Sequence, residues 1–256
     1  MRNLSILLLG LLVLSGPVRA EPSAQEILAA SDAIRNPDKP FGLITTLTEY
    51  RSGKPADRMV LKVYSKTELK GGQYRSLVRF LEPERDREKL MLKEGNTLWF
   101  YDPASKASVR LSPQQRLLGQ ASNGDVVTVN LSRDYTAALA GEETVTDGDR
   151  QPRDCYHLDL NASSEDVTYA RIELWVDKHD NHPIKGKFYS DSGRLLKTAF
   201  YRRWEEQLGQ VRPTETIIID GIDPNLVTKM QFSDYGWRDI PESWFQRDFL
   251  PRFQGD

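Results

Sequence analysis

The sequence predicts an α+β protein built on one long, curved antiparallel sheet, with a helix at its start and a few more helices inserted in its middle. Three observations predict it. Runs of alternating character recur from Phe41 almost to the end of the chain, short turns separate them, and the pattern breaks only between residues 112 and 140. Short connections join antiparallel neighbours, because parallel strands need long crossovers.

Before the sheet comes an address. Arg2 gives a basic start, residues 4–14 are a nearly pure apolar run, and Ser15-Gly16-Pro17-Val18-Arg19-Ala20 offers a small-residue cleavage site. This is the pattern of a secretory signal peptide over residues 1–20. The apolar run is shorter than the roughly 20 residues a spanning helix needs. No cysteine stands where Ala20 meets Glu21 to carry a lipid, so the product is expected to be unanchored, in the periplasm of a Gram-negative cell.

Residues 21–256 are expected to form a single domain, since neither a low-complexity linker nor a shift of composition divides them. The formal net charge of -2 becomes slightly more negative once Arg2 and Arg19 are removed. No basic stripe suggests nucleic acid. No second apolar run of membrane length follows. Cys155 is the only cysteine, which excludes an intramolecular disulfide and leaves stability to an ordinary core.

The elements follow in order. Ser23-Ala24-Gln25-Glu26 has capping-box spacing, and Ile27, Leu28 and Ile34 give an apolar stripe, so a helix over 24–35 is predicted, ended by Asn36-Pro37. Strands are predicted at 41–51, 59–66, 74–81, 89–92, 97–101 and 107–111. The turns between them carry Ser52-Gly53, Gly71-Gly72, Gly95-Asn96 and Asp102-Pro103. Ser112 and Pro113 then read as the cap and first position of a short helix over 112–119. Residues 120–133 fit either state, and 131–140 reads as another helix, capped by Ser132. Strands resume at 154–160, 169–176, 184–190, 194–204, 214–220 and 226–235.

Several strands are apolar on both faces, unlike an antiparallel sheet with one solvated side. Tyr74, Val78 and Phe80 oppose Leu77 and Leu81; Leu98 and Phe100 oppose Trp99 and Tyr101; Ile172 and Leu174 oppose Tyr169 and Trp175. Two arrangements account for this. Helices can cover one face while curvature buries part of the other, or an apolar cavity can lie between the sheet and a helical lid. The aromatic tail from Pro241 to Leu250 either packs on the domain or presents its rings to a partner.

Sites of chemistry are sparse. The chain has no Gly-rich phosphate loop, nucleophile elbow, zinc helix or EF-hand loop. Cys155, His157 and Asp159 share a strand face, but i and i+2 side chains stand nearly 7 Å apart, too far for a thiol and its base. His179, Asp180 and His182, with Asp177 nearby, are the densest group of metal-ligand types, in a segment whose Asp, Asn and Pro are ordinary turn residues. We therefore predict no catalytic residue, no metal and no cofactor.

Two stretches resemble a known family. Gly95-Asn96-Thr97-Leu98-Trp99-Phe100-Tyr101-Asp102-Pro103, followed by a strand bearing Arg110 and by Leu117-Leu118-Gly119, resembles the Gly-Asn-x-Leu-Trp-x-Tyr-x-Pro segment of outer-membrane lipoprotein-sorting (LolA-like) proteins. Trp175-Val176-Asp177, Pro183-Ile184-Lys185 and the turn Ser192-Gly193-Arg194-Leu195-Leu196-Lys197 resemble that family's Trp-Val-Asp hairpin. The likeness runs from about Ser23 to Tyr235, closest to a longer, uncharacterised branch. Where many relatives carry Gly-Ser-Asp-Phe, this chain has Gly119-Gln120-Ala121-Ser122-Asn123-Gly124-Asp125.

The resemblance implies an incomplete (half) β-barrel, a strongly curved antiparallel sheet whose concave face is covered by helices, enclosing an apolar cavity for acyl chains. The side chains expected to line it are Leu47, Leu61, Val78, Phe80, Leu98, Trp99, Phe100, Leu174, Phe188 and Phe200. It implies a soluble periplasmic carrier or chaperone, not an enzyme. The cargo would be a lipoprotein or lipid moving toward the outer membrane, and the partners an inner-membrane transporter and an outer-membrane acceptor. The alternative is an accessory partner of an inner-membrane exporter of the resistance-nodulation-division type, without a lipid cavity of its own.

Overall fold

A computed structural model describes residues 21–68 and 72–255. Residues 1–20, expected to be a signal peptide, and Gly71 of the Gly71-Gly72 turn lie outside the described residues. Helix α1 (Ala24–Arg35) starts at the expected capping box: the Ser23 amide donates to the Glu26 carboxylate at 2.8 Å and the Glu26 amide donates to Ser23 Oγ at 3.3 Å. Both bonds satisfy amides that a helix start otherwise leaves open. Ile27 and Leu28 face inward.

Strands β1 (Phe41–Arg51), β2 (Lys54–Thr67), β3 (Tyr74–Glu82), β4 (Leu90–Glu94), β5 (Thr97–Asp102) and β6 (Ala107–Leu111) follow as a meander. The chain then crosses through β7 (Arg116–Leu118), β8 (Ala121–Ser122), a 3-10 turn (Asn123–Asp125) and a single helical turn, α2 (Leu131–Asp134). A second meander comprises β9 (Tyr135–Thr146), β10 (Pro152–Ala162), β11 (Arg171–Asp177), β12 (Pro183–Tyr189), β13 (Leu195–Gln207), β14 (Gln210–Asp220) and β15 (Leu226–Trp237). Together they make one curved, unclosed antiparallel sheet of 13 strands, ordered β6-β5-β4-β3-β2-β1-β15-β14-β13-β12-β11-β10-β9. The chain thus begins in mid-sheet, walks out to one edge, crosses to the other edge and returns to pair β15 with β1.

Two sequence expectations fail in that crossing. Residues 112–119 are a turn followed by β7, not a helix. The segment must travel from one sheet edge toward the other, and extended chain covers roughly 3.3 Å per residue against about 1.5 Å for helix. The helix expected over 131–140, capped by Ser132, is only Leu131–Asp134, with Asn130 as its cap. From Tyr135 the chain is strand, because residues 135–139 pair with β10, Tyr135 opposite Ala162 and Leu139 opposite Leu158. That ladder overrides the helix preference of the alanines.

The two apolar faces are buried by different means. Leu47, Leu61, Val78, Met91, Leu98, Leu158, Ile172 and Leu174 belong to one large core cluster with Ile27 and Leu28 of α1. On the opposite face Tyr64, Leu77, Leu90, Leu92 and Tyr101 lie under Ile240, Phe245 and Leu250 of the C-terminal tail. The tail's 3-10 turns (Glu242–Phe245 and Arg247–Arg252) therefore pack on the protein, anchored by ion pairs from Lys66 and Arg75 to Glu242. Tyr169 also departs from expectation. It precedes the first residue of β11 and turns into the core, on the side of Ile172 rather than that of Trp175.

Candidate functional site

Residues 126–134 form a strap over the core face, and what holds it decides the site. Its backbone takes few ladder bonds. Instead the Thr128 amide donates to Ser76 Oγ at 3.2 Å, and Thr128 Oγ1 lies 2.7 Å from Ser65 Oγ. The Asn130 amide donates to Gln73 Oε1 at 2.6 Å, and Gln73 Nε2 donates back to the Asn130 carbonyl at 3.1 Å. From α1, Asn36 Nδ2 donates to the Val129 carbonyl at 2.8 Å and Asp32 accepts the Ser132 amide at 2.7 Å. Side chains of the sheet and of α1 thus stand in for a missing neighbouring strand.

At the strap's start a buried charge cluster pins the 3-10 turn. The Asp125 carboxylate pairs with Lys197, accepts the Tyr169 hydroxyl at 2.8 Å and accepts the Ser122 amide at 2.7 Å. The Lys197 ammonium also donates to the Gln120 carbonyl at 3.2 Å and lies 4.8 Å from the Tyr169 ring centroid. Burial pushes the Lys197 ammonium below its ordinary value while the Asp125 charge opposes that shift. Burial first, then the Asp125 charge, pushes the Tyr169 phenol well up, so it remains a donor.

Two glycines let the chain come this close. A Cβ on Gly119, at φ +53°, would stand 2.3 Å from Thr228 Oγ1, and one on Gly124 would stand 2.1 Å from Thr168 Oγ1. No side chain fits at either distance.

Beneath the strap lies a cavity of about 170 Å³. Its walls are mainly apolar, with Leu43 of β1, Val63 of β2, Ile172 of β11, Phe188 of β12, Ile218 of β14 and Met230 of β15, roofed by Val126, Val127 and Leu131. Arg35, Tyr201 and Tyr235 add polar groups to the lining. A cavity of roughly 150 Å³ holds one benzene ring, and pockets for drug-sized ligands run to roughly 300–1,000 Å³. With the strap seated, the space takes one short or folded apolar segment and excludes a bundle of acyl chains. A wider hollow of about 800 Å³ outside the strap is bordered by Gln25, Asp32, Asn130 and Arg212; its polar walls suit water rather than hydrocarbon.

The ten side chains expected to line a cavity divide three ways. Phe188 lines it. Leu47, Leu61, Val78, Phe80, Leu98 and Leu174 are packed in the same cluster behind its walls, and Phe100 packs on that cluster, edge-on to Phe80 at 5.9 Å. Trp99 and Phe200 face the other way. Trp99 joins the tail cluster, 4.8 Å from the Arg247 guanidinium, and Phe200 lies 5.8 Å from the Lys185 ammonium. The reason is strand alternation: Leu98 and Phe100 flank Trp99, Ala199 and Tyr201 flank Phe200, and each flanking pair takes the core face. The sequence reading missed Arg35, Asp125, Tyr169, Tyr201 and Tyr235. One signal was available, a lysine in step with Ala199 and Tyr201 on a core face.

The residues considered for catalysis and metal binding are committed elsewhere. Cys155 is buried against Trp175 and Ile184, and burial pushes its thiol up to about 12, so no thiolate forms near neutral pH. His157 stacks on Trp175 at 4.3 Å, and Asp159 pairs with Arg171 at 2.6 Å. Asp177 and Asp180 accept the His179 and His182 amides at 2.8 and 2.9 Å and pair with Arg153, while His182 stacks on Trp204 at 3.8 Å. Among the described residues, no group of three or more His, Cys, Asp or Glu side chains is placed to hold a metal, and no helix is long and apolar enough to cross a membrane.

A large, curved, unclosed antiparallel sheet with an apolar cavity under a strap defines an open half-barrel scaffold. Known proteins give the scaffold its family. The chain is 34% identical to a LolA superfamily protein of Nitrosomonas europaea, over 90% of this chain and 100% of that one, with a TM-score of 0.80. A family model described as "Uncharacterized protein" matches residues 72–252. The chain belongs to the LolA-like family. The same fold occurs in a DUF1329 family protein of Desulfovibrio piger, at 23% identity over 89% of this chain and 97% of that one, TM-score 0.74. It also occurs in a domain of Vibrio parahaemolyticus described as an outer-membrane lipoprotein-sorting protein, at 18% identity over 90% and 98%, TM-score 0.72. No curated protein matches the chain.

Proposed function

We propose that this protein is a soluble periplasmic carrier or chaperone that shelters an apolar or lipidated cargo, a lipoprotein or a lipid, on its way toward the outer membrane. Residues 1–20 would be its cleaved signal peptide and the rest its single LolA-like domain. The observation that carries the reading is the apolar cavity roofed by a strap that is held through side chains. Such a roof can lift without unpairing the 13-stranded sheet. Each buried methylene contributes roughly 0.8 kcal/mol, so a single acyl chain binds reversibly and can pass to a stronger acceptor. Binding, rather than chemistry, is the role of the site.

One observation favours the second reading, an accessory partner of an inner-membrane exporter that encloses no lipid itself: the closed cavity is only about 170 Å³. Mass spectrometry of the organic extract of protein purified from the periplasm separates the two. A near-stoichiometric amphiphile is the expected result. An empty extract, together with no uptake of a fluorescent fatty acid, would overturn the carrier in favour of the accessory protein.

A further inference from the structure

The cavity has an apolar wall and one polar end, and that end sits where α1 terminates. Arg35, in the last turn of α1, lines the cavity with its side chain 16% exposed. Only its Nη2 is engaged, in the ion pair with Asp32 and at 3.5 Å from the Val129 carbonyl; Nε and Nη1 have no hydrogen-bond partner among the described residues. The hydroxyls of Tyr201 and Tyr235, which line the same cavity, likewise have no partner among the described residues. Both phenols belong to this end. Tyr201 feels the Arg35 charge, and Tyr235 feels Arg212, which donates to the Ile34 carbonyl of α1 at 2.7 Å. A mostly buried guanidinium with Nε and Nη1 open and two idle hydroxyls is a set of donors awaiting an acceptor.

Charges of both signs surround this end, and their engagement decides which ligand it suits. Asp32 is occupied by Arg35 and the Ser132 amide, and Asp125 by Lys197, Tyr169 and the Ser122 amide. Burial holds Asp134 above its ordinary value, opposed by a hydrogen bond from Gln73 and by the Lys93 charge, so this carboxylate too is engaged. The carbonyls at the end of α1, whose partial negative charge would repel an anion, are covered by Arg212. What stays open at this end is the Arg35 N–H groups and the two phenol hydroxyls.

We propose that the cavity selects a single-chain amphiphile with a carboxylate head, its head on Arg35, Tyr201 and Tyr235 and its chain along Leu43, Ile218 and Met230. The proposal rests on reading the cavity as a ligand site, and it specifies the chemistry of the ligand's polar end. An open guanidinium N–H gives a carboxylate a charge-assisted hydrogen bond, stronger than the one it gives an uncharged alcohol, and it repels an ammonium.

Displacement of a fluorescent fatty-acid probe by decanoate, methyl decanoate, 1-decanol and decylamine at neutral pH tests it. Decanoate should compete at least roughly tenfold better than decanol or decylamine, as charge-assisted bonds imply. In Arg35→Gln that preference should vanish while decanol competes as before. Tyr201→Phe, which leaves the Arg35–Asp32 pair intact, should reduce the preference by several-fold. Equal competition by decanoate and its methyl ester would overturn the proposal, since an acyl carbonyl would then suffice. Equal competition by acid and alcohol would overturn it while leaving the cavity reading intact. Binding of none of the four would remove both.

Discussion

The two faces of the sheet bury comparable aromatic side chains and do so to opposite ends. On the outer face the tail packs rings edge to face, Trp244 on Tyr64 at 5.1 Å and Phe253 on Trp244 at 4.7 Å, over side chains as fully buried as Leu77 and Leu92. On the core face the strap leaves space, and its hold on the sheet combines the packing of Val126, Val127 and Leu131 with hydrogen bonds and one buried ion pair. Apolar packing is non-directional and is lost in proportion to the area exposed, so the tail behaves as part of the core. Hydrogen bonds contribute only about 0.5–1.5 kcal/mol each when water can replace them. On the proposed carrier reading, the strap is the face that opens.

That contrast can be broken at graded cost. Asp125→Ala leaves Lys197 buried without its counter-ion, and should lower stability by about 3–5 kcal/mol in chemical denaturation and loosen the strap, changing probe affinity as well. Phe245→Ala should cost about 3 kcal/mol by removing a fully buried ring, yet leave fatty-acid probe affinity unchanged. A large affinity change in that variant would mean that the faces are coupled. Trp99→Ala should cost about 1–2 kcal/mol and also spare probe binding, because its ring stacks under Arg247 on the tail side. Gln73→Ala, which removes both bonds to Asn130, should cost about 1 kcal/mol and speed probe exchange in stopped flow.

The smallest effect is a pH dependence at the strap's far end. Lys93 is buried, donates to the Tyr74 carbonyl at 3.0 Å and has its ammonium pushed down to about 8 by desolvation, opposed by the charges of Asp134 and Glu68. Between about 8 and the ordinary 10.5 the unfolded chain therefore holds more protons than the folded one. Stability from this group rises as pH rises through that window. Lys93→Met should remove that contribution, seen as a flatter dependence of the denaturation midpoint on pH between 8 and 10.5.

Most of the strand pattern was legible because alternation and turn chemistry act locally. The capping box of Ser23 and Glu26, β6 at 107–111 and the Pro183 hairpin all stand where local rules put them. β9 was not legible. Ala137, Ala138, Leu139 and Ala140 favour helix, and only pairing with β10, a contact specified by neither segment alone, makes them strand. The strands were read as apolar on both faces, but the cover of the outer face comes from a tail more than 130 residues beyond Trp99 and Tyr101. The polar end of the cavity was the least legible. Arg35, Tyr201 and Tyr235 come from α1, β13 and β15, and nothing about each residue's neighbours in the chain marks it for a shared site.

The strand order has a mechanical meaning. Since the chain starts and finishes in mid-sheet, the two meanders share a single ladder, β1 against β15, interrupted by a bulge between Gly42 and Ile44. That ladder joins them into one continuous sheet, and the crossing segment runs from one sheet edge back to the other as a tie. The tie is fastened at Asp125, through Lys197 of β13, and at Asn130, through Gln73 beside β3, so it links strands of both meanders across the cavity.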